Sequence, residues 1–453
     1  MNKFSFLLML PLLLLAESPT QLSIDQSIKI ALERNPNIKM AQERINDAQQ
    51  NVYQALGTGL PSASFQGSQI LDETVRPIDN FFYVPGVVPD PANPITLLMT
   101  NPTLDFDMTN EYQIDLRVTQ PLFTGGKIAL GTLMARKGLN LIQSQYEDEK
   151  NNLSFNVIQA YLGMLVTQQF LDVANEGYET AVEFFDISTL LYEQGMISKL
   201  DLLQAEVQAA NLLPQKTQAE NGVTMAAAGL RMLLGLEPET KITLTDSMSY
   251  KPGTYSLDDL RHQALMNRAE LQQLDISKSL SSLGVKMAMS DYLPNVALSW
   301  SYSKFGDDLD AMSDWNTSNM LAVGVSYNLF NGGIRFSKLR QARIAERQVN
   351  YGYDALKDAI LLEVEQVYLR LMEAEKNILS QEKTVGQAIE AARLAKIQFR
   401  EGTITNLQAN QIQINLTVAK ANYLQALFNY TLAEASIKKV VGKSLHNEGA
   451  KNQ

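Results

Sequence analysis

Cysteine is absent from this chain. Disulfide frameworks, thiolate metal sites and a lipid-modified N-terminal cysteine are therefore all excluded. Histidine is almost absent: His262 and His446 are the only two, far apart in sequence. A metal centre or catalytic cluster built on imidazole is not expected, and solvated helix-surface histidines are the simpler reading. Positive charge is in deficit, with 38 Lys and Arg against 49 Asp and Glu for a net charge of −11. Phosphate backbones would be repelled, so no nucleic-acid partner is expected. No grouping of nucleophile, base and acid stands out, so the sequence does not read as an enzyme, and neither cofactor nor metal is expected. Long apolar runs are missing as well. Beyond the first residues, no segment reaches the ~18 uninterrupted apolar residues of a transmembrane helix.

The first residues do carry one shorter run. "MNKFSFLLMLPLLLLAES" places Lys3 before an apolar stretch from Phe4 to Leu15, followed by Ala16. That is the form of a secretory signal peptide, residues 1–16, too short for a comfortable span and pointing to export.

What the chain has in abundance is itself, written twice. "QPLFTGGKI" at 120–128 returns as "YNLFNGGIR" at 327–335, so Leu122, Phe123, Gly125 and Gly126 recur 207 positions later as Leu329, Phe330, Gly332 and Gly333. The same shift relates Tyr161-Leu162 to Tyr368-Leu369, Gly195 to Gly402, Leu200 to Leu407 and Gly235 to Gly442. Ahead of the glycines the shift is 233, relating Ser23 to Ser256, Ala31-Leu32 to Ala264-Leu265 and Leu60-Pro61 to Leu293-Pro294. Two long copies make a duplication, since a solenoid needs short periods and several repeats. The expected organisation is a first repeat at 17–236, a linker at 237–254, a second repeat at 255–442 and a polar tail at 443–453. The first copy holds 26 extra residues, the difference between the two shifts.

Each copy alternates two kinds of segment. Lys127 to Gln194 contains no Pro, and Val157, Met164, Leu171 and Tyr178 recur every seven residues beside Leu153, Ala160, Thr167, Ala174 and Ala181. Val364, Leu371, Ile378 and Val385 repeat this beside Ile360, Val367, Ala374 and Ala388. Interleaved heptads predict a coiled-coil seam, and nearly 70 helical residues at ~1.5 Å each would extend about 100 Å. Gly195 and Gly402 interrupt the pattern as helix-ending residues, and helical sequence resumes to Gly235 and Gly442. Residues 24–57 and 257–291 supply one further helix per half. Between the helices lie period-two stretches: "EYQIDLRVT" at 111–119, "NVALSWSYS" at 295–303 and "LAVGVSYNL" at 321–329. One face is apolar and the other small or polar, as transmembrane β-strands require. Residues 63–71 alternate poorly and take the fourth strand slot by symmetry. Four strands cannot close a barrel, and an unclosed edge cannot sit in lipid. Either the sheet is soluble with exposed edges, or several copies close it together.

The pattern resembles the TolC family of outer-membrane efflux channels. The marks are "ALERNPNI" at 31–38, "QPLFTGGK" at 120–127, "NLFNGGIR" at 328–335, "LYEQGMISKLDLLQAE" at 191–206 and "QFREGTITNLQANQ" at 398–411. They cover nearly all of residues 20–442 in order and spacing. The resemblance implies a mainly α fold with a small transmembrane β part. Duplicated coiled helices would form a periplasmic α-barrel, and four strands per protomer would contribute to a 12-stranded barrel in a homotrimer. It implies a passive exit duct in the cell outer membrane, reaching into the periplasm and surrounded by outer-membrane lipid. A periplasmic adaptor and an inner-membrane pump would be its partners. Gly125, Gly126, Gly332 and Gly333 become strand-to-helix corners.

It also implies that the helix turns form the periplasmic tip, which contacts the adaptor and gates the tunnel. The residues there are Gly195, Leu200, Asp201, Leu203 and Gln204 in one copy, and Phe399, Arg400, Gly402, Ile404, Leu407, Gln408 and Gln411 in the other. The acidic positions that ring the entrance in well-known members fall on Gln408 and Gln411, so that ring is expected to be missing. The Tyr and Arg of the closing lock fall on Phe399 and Ile404. Asp201 keeps the lock's acidic member, with Arg400 as a candidate substitute partner, or else is a helix-start residue near a cap position.

The insertion, about 72–110, carries Pro77, Pro85, Pro89, Pro91, Pro94 and Pro102 and is expected to be an extracellular loop without regular structure. "GKS" at 442–444 resembles the end of a phosphate-binding loop, but Ile437 stands where that motif needs glycine. A soluble periplasmic coiled-coil scaffold is the rival reading of the whole.

Overall fold

The computed structural model describes residues 20–69, 86–90, 93–100 and 112–445. The expected signal peptide, His446 and the end of the polar tail lie outside these residues, as does most of the 72–110 insertion. In chain order the elements begin β1 (Thr20–Leu22), α1 (Ile24–Arg34), α2 (Pro36–Gly57), β2 (Ser62–Gln69), β3 (Gly86–Asp90), β4 (Asn93–Thr100), β5 (Tyr112–Thr124), α3 (Lys127–Glu193) and α4 (Lys199–Leu234). They continue with β6 (Ile242–Leu244), α5 (Leu257–Asn267), α6 (Ala269–Ser290), β7 (Asn295–Gly306), β8 (Asn316–Ser326), α7 (Ile334–Arg400) and α8 (Asn406–Val440). The chain divides into two compact units.

The first unit takes its described residues from Met1–Gln50, Lys137–Ser281 and Ala345–Gln453. Its core is the heptad seam. Leu153, Val157 and Met164 from α3 and Ile360, Val364, Val367, Leu371, Ala374 and Ile378 from α7 are buried in one cluster with Leu230, Leu234, Leu427, Tyr430 and Ile437. Leu171, Tyr178 and Val385, further along the same series, are only half-buried. β1 pairs in parallel with β6, inside the stretch expected to be a linker. The Tyr161 hydroxyl donates to the Leu22 carbonyl at 2.7 Å, which anchors this small sheet on α3. That burial pushes the Tyr161 phenol up.

The single helix expected at 24–57 is two. Asn35 has an extended backbone, φ −61° and ψ 127°, as the residue before Pro36 is driven to adopt. The second copy breaks at Arg268 with nearly the same angles, although no proline follows. There the buried Arg268 is held by Glu270 and Glu363 and donates to the Val440 carbonyl.

The second unit takes its described residues from Asn51–Arg136 and Ser282–Ile344 and holds an antiparallel sheet of order β2-β5-β7-β8. Its two hairpins share one register. Ser62↔Thr119, Ala63↔Val118 and Phe65↔Leu116 in β2–β5 become Asn295↔Ser326, Val296↔Val325 and Leu298↔Val323 in β7–β8, the same pairs after shifts of 233 and 207. Alternation divides the faces. Phe65, Leu116 and Tyr302 share one cross-strand row, and the neighbouring row joins Gln66, Asp115 and Ser303, where the Ser303 hydroxyl donates to Asp115.

Strand limits differ from those expected. β5 and β7 run on to Thr124 and Gly306. β8 occupies Asn316–Ser326 in place of 321–329. The reason is its partner: β7 begins at Asn295, opposite Ser326, so among the described residues no strand lies beside Tyr327 onward. The insertion is corrected too, because β3 and β4 form an antiparallel hairpin within it. Two of its prolines sit where a ladder tolerates them: Pro89 at the register shift and Pro94 beside the turn.

Candidate functional site

Two sets of residues were expected to carry function, the helix turns and the glycine corners. At the first turn α3 ends on Gly195, φ +72°. The Gly195 amide donates to Tyr192 and the Met196 amide to Leu191, a closure that needs a left-handed residue at its pivot. Gly402, φ +69°, ends α7 identically, with bonds to Phe399 and Gln398. Both returning helices then start on a capping box. The Asp201 amide donates to the Ser198 hydroxyl at 3.2 Å and the Asp201 carboxylate accepts from the Ser198 amide at 3.1 Å. Thr405 and Gln408 repeat the arrangement at 3.3 and 3.0 Å. Asp201 and Gln408 are thus equivalent residues with equivalent jobs, and of the two readings offered for Asp201 the geometry within the chain is that of the cap.

Arg400 does not reach Asp201 within the chain. It donates to Glu183 on α3, which also accepts from Lys396 at 2.6 Å. The Lys396 ammonium, ahead of Arg400, holds the Glu183 carboxyl below the usual carboxylate range, with partial burial opposing. A second pair, Lys420 with Glu176, ties α8 to α3. Phe399 is 2% exposed and stacks edge-on against Phe184, ring centres 5.1 Å apart, with Ala409 completing a small core under Ile187 and Ile404. Phe399 and Ile404 therefore sit in packing. The buried Asn406 donates to the Asp201 carbonyl at 3.4 Å and accepts from Asn410 at 2.8 Å, linking α8 to the start of α4.

On this base lies a shallow groove of about 410 Å³ between α4 and α8. Its walls mirror each other across the duplication: Leu200, Gln204 and Val207 on one helix, Leu407, Gln411 and Ile414 on the other. Leu200 and Leu407 are 64% and 66% exposed. No charged side chain lines it. The structure thus gathers Leu200, Leu203, Gln204, Leu407 and Gln411 in one place and sets Phe399, Arg400 and Ile404 to other tasks.

Sequence reasoning missed Glu183, Lys396, Phe184, Asn406 and Asn410. The two capping boxes were legible in the spacing Ser198–Asp201 and Thr405–Gln408. Nothing in the sequence pairs Glu183 with residues more than two hundred positions away.

The corners are built from the same motif in different surroundings. Gly125 and Gly126 have φ of +62° and +84°, and Gly332 and Gly333 +65° and +81°. A side chain on Gly125 would come within 2.7 Å of the Ser290 carbonyl and 2.9 Å of Leu293, whereas a Cβ on Gly332 would meet no described residue beyond its chain neighbours within 4 Å. Lys127 bonds Asp291 beside the first corner at 2.6 Å. At the second, Arg335 lies over Tyr292 and Tyr327 and donates to the Leu329 carbonyl at 2.9 Å.

The chain matches the family described as outer membrane efflux protein over residues 27–236 and 260–443. The alkaline protease secretion protein AprF of Pseudomonas aeruginosa is 23% identical over 346 residues, 75% of this chain and 70% of its own length. The outer membrane protein TolC of Vibrio cholerae is 23% identical over 316 residues, 68% of this chain and 72% of its own. The crystal structure of the outer membrane protein VceC from Vibrio cholerae shares the fold, with a TM-score of 0.73 and 17% identity over 93% of this chain and 96% of that one. With both halves matched, the chain is a member of the outer membrane efflux protein family.

Proposed function

We propose that this protein is the passive outer-membrane exit duct of a tripartite efflux or type I secretion system, working as a homotrimer. The observation that carries the reading is the four-stranded sheet with β2 and β8 at its edges, one face apolar and the other polar or small. Unpaired backbone amides cannot sit in hydrocarbon, so such a sheet enters a membrane only when copies close it. Twelve strands from three copies make one barrel, and the long helices provide a periplasmic tunnel. Energy and substrate choice come from an inner-membrane pump through a periplasmic adaptor.

The α4–α8 groove is the adaptor contact in this reading. Its exposed leucines and amides suit an apolar helix flanked by small polar residues. The missing acidic ring at Gln408 and Gln411 leaves an entrance closed by apolar and amide packing, less attractive to cations than an acidic one. Small molecules are the favoured cargo, because no methionine cluster suited to soft metals stands at the turns. Protein cargo is the alternative, and AprF is named for it.

Single-channel conductance in a planar bilayer tests this, on purified protein whose oligomer mass has been determined in detergent. Trimers that open stable ionic pores are expected. A water-soluble species with no conductance would overturn the duct and leave the coiled-coil scaffold as the better account.

A further inference from the structure

We infer that the second glycine corner binds the phosphate of an anionic phospholipid in the periplasm-facing leaflet of the outer membrane, with Arg335 as its cation. The inference rests on the duct proposed above and names a lipid that the duct holds.

This corner carries a cation clamp that its twin lacks. The Arg335 guanidinium lies 5.2 Å from the Tyr292 ring centre and 5.8 Å from that of Tyr327. It donates to the Leu329 carbonyl at 2.9 Å and to the Asp291 carbonyl at 3.5 Å. Under the duplication the equivalents of Arg335, Tyr292 and Tyr327 are Ile128, Gly59 and Gln120. Those three also meet. A Cβ on Gly59 would stand 3.0 Å from Ile128, and the Gln120 amide donates to the Gly59 carbonyl at 2.9 Å. One contact is thus built twice, once from closely packed neutral residues and once from a cation and two phenols. The turn does not need the charge, since the first corner has the same left-handed glycines without it.

The charge is not neutralised within the chain. The Asp291 carboxylate is taken by Lys127 at 2.6 Å. From Leu329 to Ala345 there is no Asp or Glu, while Lys338, Arg340 and Arg343 follow Arg335 along the start of α7. At these three positions the first copy has Gly131, Leu133 and Arg136. Lys338, Arg340 and Arg343 are exposed, and among the described residues none of the four cations has an ion-pair partner. Such a cluster favours an anion from outside the chain.

Its place selects the anion. Leu321, Val323 and Val325 are exposed at alternate positions of β8, and Tyr327 and Leu329 continue that row. In the duct this face meets hydrocarbon, so Arg335 and both phenols stand where it ends, at headgroup level. Arginine bonds phosphate through its planar fork, and the exposed tyrosine hydroxyls add donors beside it. A phospholipid also lays its acyl chains on Val325 and Leu329, which a free phosphate leaves uncovered.

Native mass spectrometry of the purified full-length trimer, titrated with phosphatidylglycerol or phosphatidylcholine, reads the site. Phosphatidylglycerol should be retained in preference. Arg335→Ile, which gives the second corner the residue of the first, should weaken that retention about fivefold. Lys338→Gln changes an exposed side chain and should weaken it in the same direction with trimer mass and conductance unchanged, should Arg335→Ile disturb folding. Arg393→Gln removes the same charge from an exposed position later in α7 and should leave retention as it is. Equal losses with Arg335→Ile and Arg393→Gln would show net charge at work and overturn the site. Displacement of bound phosphatidylglycerol by inorganic phosphate would overturn the lipid in favour of a free anion. A conducting trimer that retains both lipids equally would overturn the proposal and leave the duct intact. A water-soluble chain without conductance would overturn both.

Discussion

The two glycine corners have the same sequence motif and the same left-handed backbone, yet one is packed shut and the other stands open. The difference is position. The first corner follows β5, an inner strand that β7 accompanies as far as Thr124. The second lies beside β8, at an edge. A motif duplicated within a chain thus shows where like backbones differ in surroundings: Ser290 and Leu293 lie against Gly125, and no counterpart among the described residues lies against Gly332.

Substitution at the corners should break the comparison most visibly. Gly125→Ala places a Cβ against the Ser290 carbonyl on a backbone that already costs a side chain about 1–2 kcal/mol, so it should lower stability by more than that strain. Gly332→Ala carries only the strain within one chain. It should therefore leave the unfolding of dissociated chains nearly unchanged beside Gly125→Ala, yet weaken the heat resistance of the trimer on SDS gels to a similar extent. Equal effects on dissociated chains would show that the second corner is filled from within.

At the helix turns the contrast is between packing beneath and display above. Phe399→Ala removes a fully buried ring and should cost about 3–5 kcal/mol, read as faster hydrogen exchange confined to the ends of α3 and α7. Leu407→Ala, on the groove, should change stability by less than about 0.5 kcal/mol while reducing retention on immobilised adaptor. A loss of adaptor binding with Phe399→Ala alone would remove the groove from the account.

Smaller effects belong to the polar groups. Asp201→Ala removes half of a capping box and should cost about 1 kcal/mol of α4 stability, leaving conductance and closed-state dwell unchanged. A shift in dwell would restore the gating role implied by the lock position. Glu183→Gln should cost less than about 1 kcal/mol, since the site is partly exposed and screened. Its pH dependence has a definite sign. A carboxyl lowered in the folded state stabilises above its unfolded value and loses that contribution as pH falls through the folded one. The difference between wild type and Glu183→Gln should thus be constant near neutrality and vanish in acid. A difference that grows on acidification would contradict the pairing with Lys396 and Arg400.

Much of the fold was legible because the duplication gave two readings of each long helix and of the four-stranded sheet. The heptads located the seam, and Val157 and Val364, or Met164 and Leu371, are buried as that pattern requires. The limits of β8 were not legible, since they depend on where a partner strand begins. The break at Arg268 was hidden because it relies on distant carboxylates, where its twin at Asn35 has a visible proline. At the turns, Leu200 and Leu407 could be read as surface residues, but Phe399 could not be told from one. An aromatic on a helix end points either way until the opposite helix, here with Phe184, is in place.

The central claim, that another copy completes β8 and its corner, is tested most directly by amide hydrogen exchange of the intact outer-membrane protein at Tyr327–Asn331. The account predicts that this segment is protected as strongly as its twin, Gln120–Thr124. Exchange there as fast as in an unstructured loop, with Gln120–Thr124 protected, would contradict it.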